Sequence, residues 1–141
     1  MESGLTEQDL FKLQKELLPK NMIILKFTAD WCGPCQGIKS LVEELVKELP
    51  DSIKFYEIDI DESLELYAKF KSKKMVNGIP AILGFKDGEK DYWYIPDLSV
   101  LGGKKESVSE FFEKCLEYCL LYTSDAADEG LGVDLGGRRI I

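Results

Sequence analysis

The sequence predicts a single α/β domain in which a central mixed β-sheet carries helices on both faces. After a first helix, stretches typical of strands and helices follow as β, α, β, α and then β, β, α. This order gives parallel strands in the first part of the sheet and an antiparallel pair in the last part. The length of 141 residues is sufficient for one hydrophobic core rather than two. We expect the domain to occupy residues 1–118.

The composition narrows the functions open to the chain. It is 45% hydrophobic and 31% charged, with a net charge of -8. Because it has no basic run, we expect neither nucleic acid nor a membrane surface as a partner. Histidine is absent, which removes the commonest general base and zinc ligand and leaves cysteine as the ready nucleophile. We expect no metal and no cofactor.

A helix and a buried strand open the chain. Thr6 followed by Asp9 resembles a helix start, and leucines at helical spacing continue the pattern until Pro19 ends it. Residues 22–27 form a short apolar run of the kind found in central strands that are covered on both faces. Only Lys26 interrupts this run, which makes it an anomaly.

The next three elements alternate between helix and strand. Residues 34–49 place apolar side chains on one helical face and charged side chains on the other. Residues 53–60 are rich in strand-forming residues and predict a second central strand. A further helix follows, with an apolar side formed by Leu64, Tyr67, Ala68 and Phe70.

The last third of the domain predicts a β-hairpin and a closing helix. Asp87-Gly88 between two strand-like runs is a strong hairpin signal, so we expect antiparallel strands at 79–85 and 90–95. A long loop at 96–105 then leads to the helix. This loop forms part of a partner-binding rim or is an ordinary surface insertion, and the pattern favours neither.

A Cys-x-x-Cys pair lies between the first strand and the second helix, in the segment Trp31-Cys32-Gly33-Pro34-Cys35. Pro34 suits a first helical turn because it has no N–H to lose, and the positive end of that helix favours a thiolate on Cys32. The alternatives are half of a zinc site or a structural disulfide. Zinc would need two further ligands at paired spacing, which the sequence lacks. This context therefore indicates a redox dithiol.

This motif, the strand before it and Ile79-Pro80 downstream resemble the thioredoxin family over residues 22–112. The resemblance implies the thioredoxin fold and a protein dithiol–disulfide oxidoreductase without a cofactor. It implies that Cys32 is the exposed attacking thiolate and that Cys35 is the resolving thiol of a mixed-disulfide intermediate. The Gly33-Pro34 interior is similar to the reducing members of the superfamily.

The resemblance also implies a substrate-binding face around the dithiol. The Ile79-Pro80 bond is expected to be cis and to lie against the two cysteines, where the residue before proline pairs with an extended client backbone. The remaining residues expected on this face are Trp31, Gly33 and Pro34.

Lys26 is the informative departure from the family pattern. Thioredoxins usually carry a buried Asp at this position, as proton acceptor for the resolving thiol, and a Lys on the neighbouring strand. Here the position on the neighbouring strand is Glu57, so the acid and the lysine have exchanged places. We hypothesise that Glu57 accepts the proton of Cys35, directly or through water, while Lys26 holds the carboxylate. The alternative is a purely structural ion pair, with water transferring the proton.

The resemblance implies protein partners: clients that contain disulfides, and an electron-donating reductase of the thioredoxin reductase type. We expect a cytoplasmic monomer, because the cysteine spacing suits a reducing compartment and the first residues lack the features of a secretory signal. One alternative is a non-catalytic binding subunit of a larger complex. Another is a disulfide isomerase or oxidase, which the redox potential would distinguish.

Residues 119–141 show no usable structural period. Residues 119–128 are what a transposase-type sequencing adapter encodes when read in frame, and 133–141 match the flow-cell end of the same adapter. We therefore predict that the natural sequence is interrupted after Tyr118 and that 119–141 is a disordered, non-native tail. Resequencing the source DNA across this junction tests the prediction, and a continuous natural reading frame would contradict it.

Overall fold

The structure is a computed structural model that describes residues 5–88 and 92–127, with side chains described up to residue 119. The described residues form, in chain order, α1 (Glu7–Lys15), β1 (Met22–Thr28), α2 (Gly33–Lys47), β2 (Ile53–Asp59), α3 (Leu64–Ser72), β3 (Ala81–Lys86), β4 (Leu98–Leu101) and α4 (Lys105–Ala127). The predicted alternation of strands and helices is therefore confirmed.

The strands form a mixed sheet in the order β2-β1-β3-β4. β1 and β2 run parallel, whereas β3 is antiparallel to both of its neighbours. β1 is therefore central, and it is buried along almost its whole length. This explains why its sequence is a continuous apolar run rather than an alternation of apolar and polar residues.

Successive residues of β1 serve two separate cores, one on each face of the sheet. Ile23, Leu25 and Phe27 pack in the cluster that also contains buried residues of α1 and α3. Met22 and Ile24 pack in the opposite cluster, with buried residues of α2 and α4. Since side chains alternate along a strand, the residue after Leu25 faces α2 and α4 as well. That residue is Lys26.

The predicted start of α1 is confirmed in detail. The Asp9 backbone N–H donates to Thr6 Oγ1 at 3.1 Å, and the Thr6 N–H donates to Asp9 Oδ2 at 3.0 Å, which completes a capping box. The apolar side expected for α3 is partly wrong. Leu64 and Ala68 are exposed, Tyr67 is half-buried, and Leu66 instead shares the buried face with Phe70.

The hairpin is confirmed, but its second strand is not at 90–95. Residues 92–95 form turn and coil, while 89–91 lie outside the described residues, and the strand that pairs with β3 is Leu98–Leu101. The aromatic segment packs on the helices instead: Trp93 contacts Phe70 of α3 edge-on, and its carbonyl accepts a hydrogen bond from Gln14 of α1. The expected 96–105 loop is also wrong, because β4 occupies its middle.

The last helix extends past the predicted end of the domain at Tyr118. α4 continues to Ala127, and Cys119 is buried, with its thiol donating to the Lys20 carbonyl at 3.2 Å. The expectation of disorder is therefore not met over 119–127, and 128–141 lies outside the described residues. The adapter origin of 119–141 stays a prediction about the DNA.

Candidate active site

The dithiol lies where the end of β1 passes into α2. Cys32 is the N-cap residue of α2, and Pro34 occupies its first turn without the loss of a hydrogen bond. Cys32 and Cys35 are joined by a disulfide, with their Cα atoms 5.2 Å apart. The Cys35 backbone N–H points at Cys32 Sγ, 3.1 Å away. A helix N-terminus that directs an N–H at a sulfur favours the thiolate form of that sulfur.

Cys32 is less exposed than the resemblance implies. It retains 5% of its accessible surface and Cys35 retains 1%, and both belong to the core cluster on the α1 and α3 face. The expected exposed thiolate is therefore wrong for this disulfide state, although Cys32 remains the more accessible sulfur. The exposed 5% of Cys32 is the opening through which a reaction partner can reach the disulfide.

Trp31 stands beside this opening and is 67% exposed, so its expected position at the surface is confirmed. Its indole N–H donates to Asp61 Oδ2 at 3.0 Å. The Asp61 backbone N–H in turn donates to Asp59 Oδ1 at 2.8 Å, which holds the turn after β2 in place. The sequence does not indicate this role of Asp61, because an acidic residue after a strand does not reveal which distant donor it accepts from.

Gln36 is a second residue whose role the sequence did not show. Its side-chain amide donates to the carbonyl of Ala29 at 3.3 Å. This hydrogen bond joins the first turn of α2 to the loop that carries Trp31. The segment before the cysteines and the segment after them are therefore held together on the outside of the site.

The Ile79-Pro80 peptide bond is cis, as expected. It leads directly into β3, whose first residue, Ala81, lies between Phe27 at the end of β1 and Leu101 at the end of β4. The cis bond therefore lies at the end of the sheet at which β1 passes into the dithiol loop. Ile79 is half-buried and packs against the cluster that contains both cysteines.

The predicted Lys26–Glu57 ion pair is present. The two residues are register partners on the parallel strands β1 and β2, and Lys26 Nζ lies 3.1 Å from Glu57 Oε2. The Lys26 side chain is 2% exposed and the Glu57 side chain is 29% exposed. Because β2 is the edge strand, the pair directs its ammonium into the protein and its carboxylate towards solvent.

Glu57 opens into a cavity of about 220 Å³ between the edge of the sheet and α2. Besides Glu57, the cavity is lined by Thr28, Asp30, Gln36, Lys39, Asp59 and Glu62. A polar cavity of this size holds several water molecules. The ion pair therefore borders solvent at the carboxylate end only.

The described residues contain no candidate metal site and no candidate membrane span. Within them, no group of three or more His, Cys, Asp or Glu residues is arranged to hold a metal ion. In the same part of the chain, no helix is long and apolar enough to cross a membrane. The Cys32–Cys35 disulfide is the redox group of the site.

Comparisons with known proteins agree with this geometry. The Thioredoxin family profile matches residues 5–110. Thioredoxin from Bacillus subtilis is 36% identical over 97 residues, which cover 69% of this chain and 85% of that protein. Thioredoxin H-type 2 from Nicotiana tabacum is 33% identical over 102 residues, covering 72% and 77%.

Among solved structures, the X-ray structure of Fasciola hepatica thioredoxin superposes with a TM-score of 0.64 at 30% identity. The superposition covers 81% of this chain and 98% of that one. The range matched by the family profile includes the strand, the dithiol and the helix of the site. The chain belongs to the thioredoxin family and is a thiol–disulfide oxidoreductase.

Proposed function

We propose that this protein reduces disulfide bonds in client proteins through the dithiol form of Cys32 and Cys35. The Cys32 thiolate attacks one client sulfur, which forms a mixed disulfide and releases the second client sulfur as a thiolate. Cys35, after losing its proton, attacks Cys32 Sγ, which forms the intramolecular disulfide and releases the first client sulfur. Two electrons pass from the dithiol to the client, and each released thiolate takes up a proton.

The observation that carries this assignment of roles is the Cys35 N–H directed at Cys32 Sγ, 3.1 Å away. The N-cap position gives Cys32 both this hydrogen bond and the positive end of the α2 dipole. Cys35 is buried one turn further along, where the sulfur within its reach is that of Cys32. Attack by Cys32 and resolution by Cys35 follow from these two environments.

The residues around the opening supply a face for an extended client segment. Trp31 is exposed on one side of the dithiol, with Gly33 and Pro34 exposed beside it. The cis Ile79-Pro80 turn lies at the same end of the sheet. We assign Ile79 the backbone pairing with the client, because the residue before the cis-proline has this role in the thioredoxin family and the Ile79-Pro80 bond is cis here.

Glu57 is proposed as the proton acceptor for Cys35. Its carboxylate is fixed by Lys26 at 3.1 Å and borders the polar cavity beside α2. Cys35 itself does not line this cavity, but the next residue, Gln36, does, so the proposed transfer runs through water from the Cys35 thiol to the carboxylate. The Lys26 ammonium keeps the carboxylate in place and contributes positive potential beneath α2.

Family membership implies, in general, client proteins with disulfides and a thioredoxin reductase that restores the dithiol. We assign this protein to the cytoplasm and treat it as a monomer. A reducing compartment is needed because the dithiol must be regenerated after each turnover, and the buried Cys115, which forms no disulfide, is consistent with such an environment.

Insulin reduction with a chemical reductant as electron donor tests the proposed activity. Wild-type protein should accelerate the reaction, and Cys32→Ser should abolish the acceleration. Cys115→Ala is the matched control, since it removes a cysteine from the opposite core cluster and should leave the rate unchanged. An inactive but folded wild-type protein would contradict the proposal and favour the non-catalytic binding subunit.

The redox potential measured against glutathione separates the reductase from an isomerase or oxidase. We expect a potential more negative than that of the glutathione couple, so that the disulfide form is favoured at equilibrium. A potential well above that of glutathione would contradict reduction of clients as the main reaction.

A further inference from the structure

The loop between β4 and α4 contacts both halves of the active site. The Gly102 N–H donates to the carbonyl of Pro80 at 2.8 Å, and Gly102 has a φ of +101°, a conformation that glycine adopts without strain. The next residue, Gly103, lies against the first turn of α2. A Cβ atom on Gly103 would stand 3.2 Å from both Pro34 Cβ and Pro34 O, and 3.7 Å from Pro34 C.

The loop has little freedom to retreat from this contact. On one side it is anchored by the Gly102–Pro80 hydrogen bond and by the pairing of Leu101 with Ala81. On the other side α4 begins at Lys105, two residues after Gly103. A side chain at Gly103 would therefore press on the Pro34 backbone rather than move the loop away.

The Pro34 carbonyl and the Cys35 N–H belong to one planar peptide unit. Its oxygen is one of the two atoms that a Cβ on Gly103 would meet at 3.2 Å, the other being Pro34 Cβ, and its N–H is the group that donates to Cys32 Sγ at 3.1 Å. A displacement at the oxygen therefore turns the N–H from its present direction towards the sulfur. The absence of a side chain at Gly103 allows this peptide unit to keep its present orientation.

We propose that Gly103 is a positioning residue for the redox reaction, acting through the Pro34–Cys35 peptide unit on Cys32 Sγ. The proposal deepens the proposed function, because it concerns the same dithiol. A methyl group at this position weakens the hydrogen bond to the Cys32 thiolate. The thiolate then forms at higher pH, and the dithiol form loses stability relative to the disulfide.

Two measurements on Gly103→Ala test the proposal: the pH midpoint for alkylation of Cys32 in the reduced protein, and the equilibrium with glutathione. We expect a higher pH midpoint and a shift of about threefold towards the disulfide, which is about 14 mV at 30 mV per tenfold change. Neither readout uses a client, so both remain informative if insulin reduction, and with it the proposed function, fails.

Gly37→Ala is the matched control, because it makes the same substitution on an exposed face of α2 where an added Cβ meets nothing within 4 Å. It should leave both values unchanged. Gly103→Ser adds the same Cβ and should shift both values in the same direction as Gly103→Ala. If the folded Gly103 variants match wild type and Gly37→Ala in both measurements, the proposal is wrong. Gly103 is exposed, so its substitution leaves both core clusters intact.

Discussion

Lys26 Nζ and Glu57 Oε2 are 3.1 Å apart across the parallel pair of β1 and β2, with the lysine buried and the glutamate at the edge of the sheet. Thioredoxins usually have an acid at the first of these positions and a lysine at the second. The exchange moves the carboxylate from the centre of the sheet to the border of a polar cavity beside α2. The proposed proton relay therefore runs along the solvent side of the site.

Glu57→Gln should slow the resolution of the mixed disulfide by about tenfold or more, because the amide cannot take up the Cys35 proton. Stopped-flow reduction of a disulfide substrate measures this step. Glu62→Gln is the matched control, since Glu62 lines the same cavity but lies outside the Lys26 ion pair. An unchanged rate and pH profile in Glu57→Gln would show that the ion pair is structural.

The exchanged double variant, Lys26→Asp with Glu57→Lys, tests whether the position of the carboxylate matters. It restores the usual order of the pair, with the acid beneath α2, and should retain most of the resolution rate.

The single variant Glu57→Ala should lower the free energy of unfolding by about 2 kcal/mol, because it leaves a buried ammonium without its partner. The cost is kept to this size because the carboxylate that is removed was partly exposed. Urea unfolding of the variants at one pH measures this cost. If Glu57→Ala lowered the free energy of unfolding by no more than a surface substitution does, the ion pair would not stabilise the fold.

The Trp31–Asp61 hydrogen bond gives a prediction about client binding rather than chemistry. Asp61→Ala removes the acceptor of the indole N–H, so the exposed ring loses its fixed orientation. We expect KM for insulin to rise by about two- to fivefold with little change in kcat, since one hydrogen bond contributes about 1 kcal/mol. Asp61→Asn, which keeps an acceptor oxygen, should remain close to wild type. A change confined to kcat would contradict this role.

Much of the site could be predicted because its main parts are local or follow from strand register. The dithiol, its helix and the strand before it occupy one continuous segment, and Glu57 follows from counting along two parallel strands that pair in register. The cis Ile79-Pro80 bond came from the family resemblance. These features depend on residues that are close in sequence or on regular pairing between strands, and both can be inferred from the sequence.

The features that were missed depend on contacts between distant segments. Tyr92, Trp93 and Tyr94 have the composition of a strand, yet Trp93 packs on Phe70, so the strand begins after Pro96 instead. The close approach of Gly103 to Pro34 joins segments from opposite ends of the domain. No local pattern records such contacts, because they arise from the way the elements pack.

Cys115 should make stability depend on pH in alkaline solution. Burial raises the pKa of its thiol from 9.0 to about 12 in the folded protein. Below about pH 9 the thiol is protonated in both states and has no effect. Between about pH 9 and 12 it ionises in the unfolded chain first, so the free energy of unfolding falls by up to about 1.4 kcal/mol per pH unit.

Urea unfolding at pH 8 and pH 10.5 measures this effect, with Cys115→Ala as the reference. The difference in stability between wild type and this variant should shrink as the pH rises, because the other titrating groups are common to both proteins. A difference that is independent of pH would contradict a buried, protonated thiol.

Cys35→Ser should convert the protein into a trap for its clients. Cys32 keeps its N-cap position in this variant. It also keeps the hydrogen bond from residue 35, because the backbone N–H donates it, so the first attack proceeds. Resolution cannot follow, because serine does not displace a sulfur from a disulfide, and the mixed disulfide accumulates. Non-reducing electrophoresis should then show a covalent adduct of the variant with insulin whose disulfides are intact, or with a model disulfide protein, and dithiothreitol should release it. Cys32→Ser should form little adduct under the same conditions, because the remaining sulfur is the more deeply buried of the two. Equal trapping by the two variants would mean that burial does not decide which cysteine attacks, and would overturn the assignment of their roles.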